Sequence, residues 1–306
     1  MRSLAKRAYH ALLTKLPDEA AVSLDFFLAH RRLPHLKEPR TFSEKIQYRK
    51  LYNKDPRFPV LADKFQVKDY VREALGEQWL IPSIWYGKAL PPREERNWPI
   101  PYVLKATHGS GQNIFVASPD DQNWELIEER AEGWLHNRYG TPFREWLYGQ
   151  ITPGLLVEPY VGCGDILPVD YKFYVFGGEV RTIQVDTGRA QNHRRCFYDR
   201  KWKPQPFALM YPLETSPIAK PASLDAMIEA AEHRGRDFAF VRVDLYEVEG
   251  RPLFGEMTFY PESGRGVFSP PHYDRMFGNL WPTVYCHVRR RESAMGARPA
   301  LPSLEA

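Results

Sequence analysis

The segment that most constrains this chain is residues 240–260, which read FVRVDLYEVEGRPLFGEMTFY. Apolar and polar residues alternate on both sides of Gly250, a pattern that predicts two strands joined by a tight turn. Each strand carries one central carboxylate, Asp244 on the first and Glu256 on the second. A three-residue turn would place the two carboxylates opposite each other. A two-residue turn would send them to opposite faces, because side chains alternate along a strand.

Two facing carboxylates repel each other unless a cation lies between them. In proteins Mg²⁺ commonly binds to one or two carboxylates and shares its remaining coordination with phosphate groups. The hairpin therefore suggests a phosphate-bearing ligand, and other parts of the chain should supply groups that hold the phosphates.

Composition sets broad limits on the fold and the partners. The 306 residues are 43% hydrophobic and 14% aromatic, enough for a large core in one or two lobes. The net charge is only +4, so we expect no nucleic-acid partner. Cys163, Cys196 and Cys286 form no CxxC pair, which favours a reducing cytoplasm over a disulfide framework or a zinc site. We find no transmembrane-length apolar run and no signal-peptide pattern at the N-terminus.

Positive charge is concentrated near the N-terminus, where residues 1–50 hold 11 Lys or Arg and 5 Asp or Glu. Residues 2–16 predict a basic helix that has an apolar stripe and no acidic residue. Such a stripe can dock on the protein's own core. It can also contact a partner or an anionic membrane, which would place the protein at the inner face of the cytoplasmic membrane. Both interpretations stay open.

Two lysines are candidate phosphate ligands. Lys64 is predicted in the first turn of a helix that starts at Asp63, where free N–H groups can also hold an anion. Lys105 lies in an apolar strand before the loop HGSGQ at 108–112, whose glycines let backbone N–H groups approach a phosphate. The alternatives are a surface lysine and an ordinary hairpin loop. A basic segment at 188–199 predicts a mobile loop that could also hold an anion.

Six motifs in a fixed order make the chain resemble the TupA-like branch of the ATP-grasp superfamily, a branch named for a teichuronopeptide biosynthesis protein. The motifs are TFSEKIQ at 41–47, LADK at 61–64, VLKATHGSGQNI at 103–114, DYKF at 170–173, RVDLY at 242–246 and FGEMTFYP at 254–261 with Ser263-Gly264. The resemblance implies an α+β ATP-grasp fold, in which two lobes of antiparallel sheet and helices clasp ATP. The implied regions are an N-terminal helical, substrate-side part at 1–95, a lid subdomain at 96–162, a catalytic subdomain at 163–288 and a flexible tail at 289–306.

The resemblance also implies roles for individual residues. ATP phosphates would contact Lys64 and Lys105 under a lid loop of His108, Gly109, Ser110, Gly111 and Gln112. Adenine would contact a hinge that includes Glu158, Tyr160 and Val161. One or two Mg²⁺ ions would bind Asp244, Glu256 and Thr258, which requires an odd-length turn at Gly250. Thr258 stands where many ATP-grasp ligases have Asn, so the second ion would be held less securely. Arg242, Lys172 and Arg181 are candidates for holding an anionic substrate or the transferring phosphoryl group.

The chemistry implied by the resemblance is ATP-dependent ligation of a carboxylate to an amine through an acyl phosphate. The carboxylate and amine would be small molecules or parts of a cell-surface polysaccharide. Two alternatives stay open. An ATP-grasp phosphotransferase would stop after phosphoryl transfer. A glycosyltransferase of a polysaccharide locus would use a nucleotide sugar, although the Asp-x-Asp motif common in that class is absent from the sequence.

Overall fold

The structure is a computed structural model that describes residues 2–162, 167–188 and 192–281, so the predicted tail lies outside it. The described helices are α1 (Arg2–Lys15), α2 (Asp18–His30), α3 (Phe42–Tyr52), α4 (Arg57–Ala62), α5 (Val67–Leu75), α6 (Trp124–His136), α7 (Leu224–Gly235) and α8 (His272–Leu280). The described strands are β1 (Trp85–Gly87), β2 (Tyr102–Ala106), β3 (Asn113–Val116), β4 (Leu155–Pro159), β5 (Asp170–Phe176), β6 (Glu179–Thr187), β7 (Arg194–Tyr198), β8 (Ala208–Leu209), β9 (Phe240–Val248), β10 (Arg251–Thr258) and β11 (Phe268–Ser269). None of these helices combines the length and the apolar character needed to cross a membrane.

The strands form two main antiparallel sheets. The first has the order β1–β4–β2–β3 and the second has the order β10–β9–β5–β6–β7, while β8 and β11 pair as a short ribbon. Each main sheet has its own cluster of buried apolar side chains, so each can form a separate lobe. The predicted α+β architecture of two antiparallel lobes is confirmed.

The first lobe packs α6 on the sheet of β1 to β4. The apolar residues of α6 recur at helical spacing, and its Ile127 and Ala131 are buried in this core. Asn123 begins the helix, because its side-chain oxygen accepts a hydrogen bond from the Leu126 N–H at 3.0 Å.

The second sheet has one face covered by α7 and another that becomes charged along its length. Gly235 of α7 lies so close to Val175 that an added Cβ would come within 2.5 Å of that side chain. The opposite face carries Phe240, which packs against Phe42 of α3 with ring centroids 4.9 Å apart. Further along β9, the same alternation brings Asp244 to this second face. The face away from α7 is therefore apolar near α3 and charged beyond it.

The starts of α3 and α5 both involve side-chain hydrogen bonds to the backbone. Thr41 and Glu44 form a capping box at the start of α3. The Asp63 carboxylate accepts hydrogen bonds from the Phe65 and Gln66 N–H groups, as a helix cap does, but the regular helix begins only at Val67. The N–H groups of Lys68 and Asp69 bond to carbonyl oxygens three residues back, so residues 64–66 form a turn. Lys64 therefore lies in the turn between α4 and α5 rather than in the first turn of a helix.

The hairpin of β9 and β10 brings Asp244 opposite Glu256, as predicted, but by a different route. The expectation of an odd-length turn is wrong, since the turn contains two residues, Glu249 and Gly250, both with positive φ. A β-bulge at Gly255 adds one residue to β10 and shifts the register by one. The bulge restores the pairing that a two-residue turn alone would have prevented.

Candidate functional site

A cavity of about 660 Å³ is lined by residues from both main sheets. Its lining includes Lys105 and Glu158 from the first sheet and Lys172, Arg242 and Asp244 from the second. Among the residues that the structure describes, seven Lys or Arg and seven Asp or Glu side chains line the cavity, so their formal charges balance. The volume is in the range of ordinary small-molecule sites.

Three neighbouring strands place charged residues side by side in this cavity. Glu256, Asp244 and Lys172 are successive register partners on β10, β9 and β5. Lys172 Nζ lies 3.4 Å from Asp244 Oδ2. Arg242 donates from Nε and Nη2 to the two Asp244 oxygens, both at 2.7 Å. The carboxylates are thus held by cations on the same face of the sheet.

Thr258 completes this corner of the cavity. Its hydroxyl accepts a hydrogen bond from Arg242 Nη2 at 3.1 Å and donates one to Glu256 Oε1 at 3.3 Å. Burial raises the pKa of Glu256, but the charges of Lys64, Arg242 and Lys172 outweigh burial and lower the pKa to about 2. Glu256 is therefore an anion throughout the physiological pH range.

Asp244, Glu256 and Thr258 fit the requirements of Mg²⁺, because all three offer hard oxygen donors. The Glu256 side chain is 30% exposed and lines the cavity, so an ion can reach it. Within the described residues, no group of three or more His, Cys, Asp or Glu side chains is arranged to hold a metal. Proteins usually supply one or two carboxylates to Mg²⁺, and phosphate oxygens of the substrate complete its coordination.

Lys64 connects the two lobes at the edge of the cavity. Its Nζ donates to the Gly109 carbonyl oxygen at 2.9 Å and to Glu256 Oε2 at 3.0 Å. Its backbone N–H donates to the Thr107 carbonyl oxygen at 3.1 Å. One ammonium group therefore joins the loop at 108–112 to the hairpin that carries the carboxylates.

Lys105 forms part of a buried cluster with Glu158 and Lys68. Lys105 Nζ lies 2.6 Å from Glu158 Oε2, and Lys68 pairs with the other Glu158 oxygen. Burial raises the pKa of Glu158, but Lys105 and Lys68 outweigh this effect and lower it. Lys68 was not predicted from the sequence. Two features of the sequence could have indicated it. Lys68 lies four residues after Lys64, and the acid Glu158 in an apolar strand needs positive partners.

The loop at 108–112 presents only part of its length to the cavity. Ser110 and Gly111 line the cavity, and Gly111 has a φ of 71°. His108 is buried instead, with its Nε2 2.9 Å from the Trp134 carbonyl oxygen. The Gln112 carbonyl oxygen accepts a hydrogen bond from the Ala106 N–H at 3.0 Å. His108 thus anchors the loop to α6.

Three other predicted residues lie outside the lining of this cavity among the described residues. Tyr160 and Val161 follow β4, and the Tyr160 N–H donates to the Pro101 carbonyl oxygen at 3.0 Å. The Arg181 side chain is 47% exposed and pairs with Glu179. The structure therefore does not bring Arg181 together with Lys172 and Arg242.

The basic segment at 188–199 is a strand for much of its length, so the prediction of a mobile loop is wrong for residues 194–198, which form β7. Arg195 is buried and donates from Nε to Asp186 Oδ1 at 2.6 Å. His193 Nε2 lies 3.3 Å from the same oxygen. Arg195, His193 and Asp186 all line the cavity, and Arg189 falls outside the described residues.

This chain is similar to a known sequence family and to several solved structures. The sequence model of the protein family described as TupA-like ATPgrasp matches residues 44–281 of this chain. No curated protein matches the sequence significantly. Similar solved structures include D-alanine–D-alanine ligase from Bacillus anthracis complexed with ATP, at 15% identity, 76% coverage of this chain, 68% of that chain and a TM-score of 0.42.

Two further solved structures have comparable similarity. L-amino acid ligase from Bacillus licheniformis has 14% identity and a TM-score of 0.41, with 70% of this chain and 45% of that chain covered. N5-carboxyaminoimidazole ribonucleotide synthetase from Thermus thermophilus has 14% identity and a TM-score of 0.36, with 68% and 48% covered. This chain therefore spans about half the length of these two proteins.

Proposed function

Because the chain belongs to the TupA-like ATP-grasp family, we propose that it is an ATP- and Mg²⁺-dependent ligase that joins a carboxylate to an amine. One observation carries the proposal. Lys64, Lys105, Asp244 and Glu256, which come from distant parts of the chain, meet in a single cavity of about 660 Å³. Lysines that contact phosphates and carboxylates that contact Mg²⁺ are the groups that ATP requires.

The triphosphate lies between the two lobes. Lys64 and Lys105 contact phosphate oxygens, and the backbone at Ser110 and Gly111 offers N–H groups from the lid loop. Lys64 already bridges this loop and Glu256, so a phosphate at this position would contact both lobes through one side chain. Lys68 and Glu158 hold Lys105 in place.

Asp244, Glu256 and Thr258 would hold one or two Mg²⁺ ions, which when bound neutralise negative charge on the phosphates. The cavity's own charges balance, and this favours a triphosphate accompanied by cations over a bare one. Arg242 remains charged at every accessible pH and is fixed by its two hydrogen bonds to Asp244. Its place beside both carboxylates suits stabilisation of charge on the transferring phosphoryl group.

The reaction transfers the γ-phosphoryl group of ATP to a carboxylate oxygen and gives an acyl phosphate and ADP. An amine then attacks the acyl carbon, and phosphate leaves. Lys172 and Arg242 hold the anionic carboxylate and the phosphoryl group near each other, so most of the protein's contribution is positioning and charge stabilisation.

We place this activity in cell-surface polysaccharide biosynthesis, on the cytoplasmic side where ATP is available. The support is the family itself and the character of the lining, in which Tyr139, Tyr148 and Tyr211 lie among charged residues. Aromatic side chains with polar tips suit sugar-sized polar ligands. A uronic acid is a sugar that carries a carboxylate, so it combines a ligand of this size with the group to be activated.

The decisive experiment measures ADP release and product mass with purified protein, ATP and Mg²⁺. Uronic acids (D-glucuronate and D-galacturonate) are combined with amines (L-alanine, D-alanine, L-glutamate and L-lysine). We expect ADP release that requires both partners, together with a product of the mass of their amide. A stable phosphorylated product without an amine requirement would identify a phosphotransferase instead. Binding of UDP-sugar with Mg²⁺, without binding of ATP, would identify a glycosyltransferase.

A further inference from the structure

The cavity contains a carboxyl group that the nucleotide does not require. Glu145 lies between the short 3₁₀ turns at 141–143 and 146–150, is only 7% exposed, and lines the cavity. Lys64 pairs with Glu256, and Lys105 pairs with Glu158, so the phosphate-side lysines have other partners. A buried acid that faces a ligand cavity needs its own explanation.

Glu145 is held in place by the N-terminal helices. Arg144, the residue before it, donates to the carbonyl oxygens of Leu13 at 2.9 Å and Leu16 at 2.7 Å. The Glu145 N–H donates to the Gly140 carbonyl oxygen at 3.1 Å, and a Cβ on Gly140 would lie 2.8 Å from Glu145 Cβ. The carboxyl group is therefore fixed by a turn that is tied to the end of α1.

Ser263 lies beside Glu145 and also lines the cavity. Its hydroxyl accepts a hydrogen bond from Lys50 Nζ at 3.3 Å, and Ser263 lies near enough to the Glu145 carboxyl group to oppose the rise in the pKa of that group. Ser263 and the preceding Glu262 have φ of 54° and 51°, the left-handed conformation that non-glycine residues rarely adopt. Strained backbone of this kind clusters at functional sites.

The titratable groups that face Glu145 come from several elements. They are Lys50 on α3, Asp25 on α2, and the phenols of Tyr139, Tyr148 and Tyr260. Burial raises the pKa of Glu145 to about 7, with Lys50 opposing the shift. Burial is the main cause that raises the pKa of the Tyr148 phenol. The nearby carboxylates of Glu145 and Glu256 raise it further. Glu145 therefore shares this aromatic neighbour with Glu256, one of the two proposed magnesium carboxylates.

We propose that Glu145, Ser263 and Tyr148 form the subsite for the amine substrate, an assignment that rests on the proposed function. The Glu145 carboxylate binds the ammonium group of the substrate and accepts one of its protons. The free amine attacks the acyl carbon, a C–N bond forms, and the C–O bond breaks with its electron pair going to phosphate. The second amine proton leaves with the phosphate. A proton acceptor that titrates near neutral pH suits this step.

The test separates carboxylate activation from attack by the amine. Hydroxylamine traps an acyl phosphate as a hydroxamate and is mostly uncharged at pH 7, so it needs no proton acceptor. With the uronic acids above, we expect Glu145→Gln to form hydroxamate at the wild-type rate, within about threefold. With the amino acids, we expect its kcat/KM for the amine to fall by about 100-fold and to lose the rise with pH near 7. Glu129→Gln, an exposed change on α6, is the matched control.

Each other outcome is decisive. If Glu145→Gln forms the amide like the wild type, with the same pH profile, the subsite assignment is wrong and the ligase proposal stands. If the variant loses hydroxamate as well as amide, Glu145 acts in phosphoryl transfer or folding, and the assignment is again wrong. If the wild type forms no hydroxamate, both proposals fail together.

A separate observation concerns α1, which is only partly packed on the protein. Leu13 is fully buried, but an apolar stripe at helical spacing, made of Leu4, Ala5, Ala8, Ala11 and Leu12, is exposed. Leu4 is 71% exposed and Leu12 is 49% exposed. The predicted helix is confirmed, and its apolar stripe is not docked on the described residues.

We infer that α1 lies on an anionic membrane surface, with its apolar stripe at the boundary between headgroups and acyl chains. Charge complementarity selects this occupant, because α1 carries Lys6, Arg7 and Lys15 and no acidic residue. A basic amphipathic helix binds such surfaces through buried apolar area together with attraction to anionic lipids. The inference does not depend on the proposed reaction.

The experiment is cosedimentation of the full chain with vesicles. We expect binding to vesicles that contain phosphatidylglycerol and much weaker binding to pure phosphatidylcholine. Leu4→Glu with Leu12→Glu should abolish binding, and Lys6→Gln should weaken it by roughly fivefold. Leu33→Glu, an exposed leucine outside α1, is the control. The inference fails if the wild type stays in solution, if the double variant binds as the control does, or if the stripe instead mediates a dimer that the double variant dissolves.

Discussion

Asp244 and Glu256 are register partners one residue beyond the β-bulge at Gly255. A shift of one residue in β10 would move Glu256 to the other face of the sheet. The bulge thus decides whether the two carboxylates can contact the same ion, and it does so from a position that has no side chain of its own.

Gly255→Ala tests the bulge. A Cβ at this position would lie 2.9 Å from the Asp244 carbonyl oxygen and 3.0 Å from Tyr246 Cε2, so the hairpin must shift to accept it. We expect the free energy of unfolding to fall by about 1–3 kcal/mol. We also expect Mg²⁺-dependent ADP release to fall by about 100-fold, because the carboxylates move apart. Urea unfolding and an ADP assay measure the two effects.

Gly250→Ala is the matched control for this variant. Gly250 has a φ of 74° in the turn, and an added Cβ would meet no atom within 4 Å. The substitution should lower stability by about 1–2 kcal/mol through backbone strain and leave the Mg²⁺ dependence unchanged. If both variants lost activity equally, general weakening of the hairpin would explain the result.

Asp244→Asn and Glu256→Gln should each lower ADP release by about 10²–10³-fold while far-UV circular dichroism stays unchanged. Each change removes one negative charge from the proposed metal site and keeps the shape of the side chain. Glu249→Gln, an exposed change in the same hairpin, should keep wild-type activity. Retained activity in both site variants would place the metal elsewhere.

Glu158→Gln should destabilise the first lobe. It leaves the largely buried Lys68 and Lys105 ammonium groups without their shared counter-charge. Removal of one partner from a buried ion pair lowers stability by about 3–5 kcal/mol. Urea unfolding of the variant measures this, and an unchanged midpoint would show that solvent already screens the cluster.

The same variant predicts a pH dependence with a definite sign. The pKa of Glu158 is lowered from 4.5 in the folded chain, so its ionised form stabilises the fold. That contribution is complete above the unfolded pKa and is lost as the pH falls through the lower folded pKa. The stability difference between wild type and Glu158→Gln should stay constant from pH 6 to pH 8 and shrink below about pH 4. A difference that grows in acid would contradict the shift.

Thr258 should set the affinity for Mg²⁺. Thr258→Asn supplies a carbonyl oxygen, a stronger ligand than a hydroxyl, and should lower the Mg²⁺ concentration for half-maximal ADP release. Thr258→Val removes the oxygen and should raise that concentration by about tenfold. Identical Mg²⁺ titrations for all three proteins would mean that Thr258 does not contact the ion.

Several elements followed from local rules. The capping box of Thr41 and Glu44 depends only on neighbours, and so do α6 and the Gly177-Gly178 turn between β5 and β6. The same rules failed after Asp63, where hydrogen bonds three residues apart form a turn and the regular helix begins only at Val67. They also failed at β7. Its run of basic residues is typical of an exposed loop, whereas Arg195 is buried and forms an ion pair with Asp186.

For the site, the sequence alone identified the carboxylates Asp244 and Glu256, and it suggested Lys64 and Lys105. Residue type and strand periodicity were enough, because a charge in an apolar strand needs a partner wherever it lies. Only the tertiary structure decided which partners these are. It placed Lys68 on Glu158, Lys64 across the lobes, and Glu145 at the cavity wall. Such contacts join residues that are far apart in sequence, so local patterns do not predict them. The β-bulge at Gly255 aligns β10 with β9, and no local pattern predicts it either.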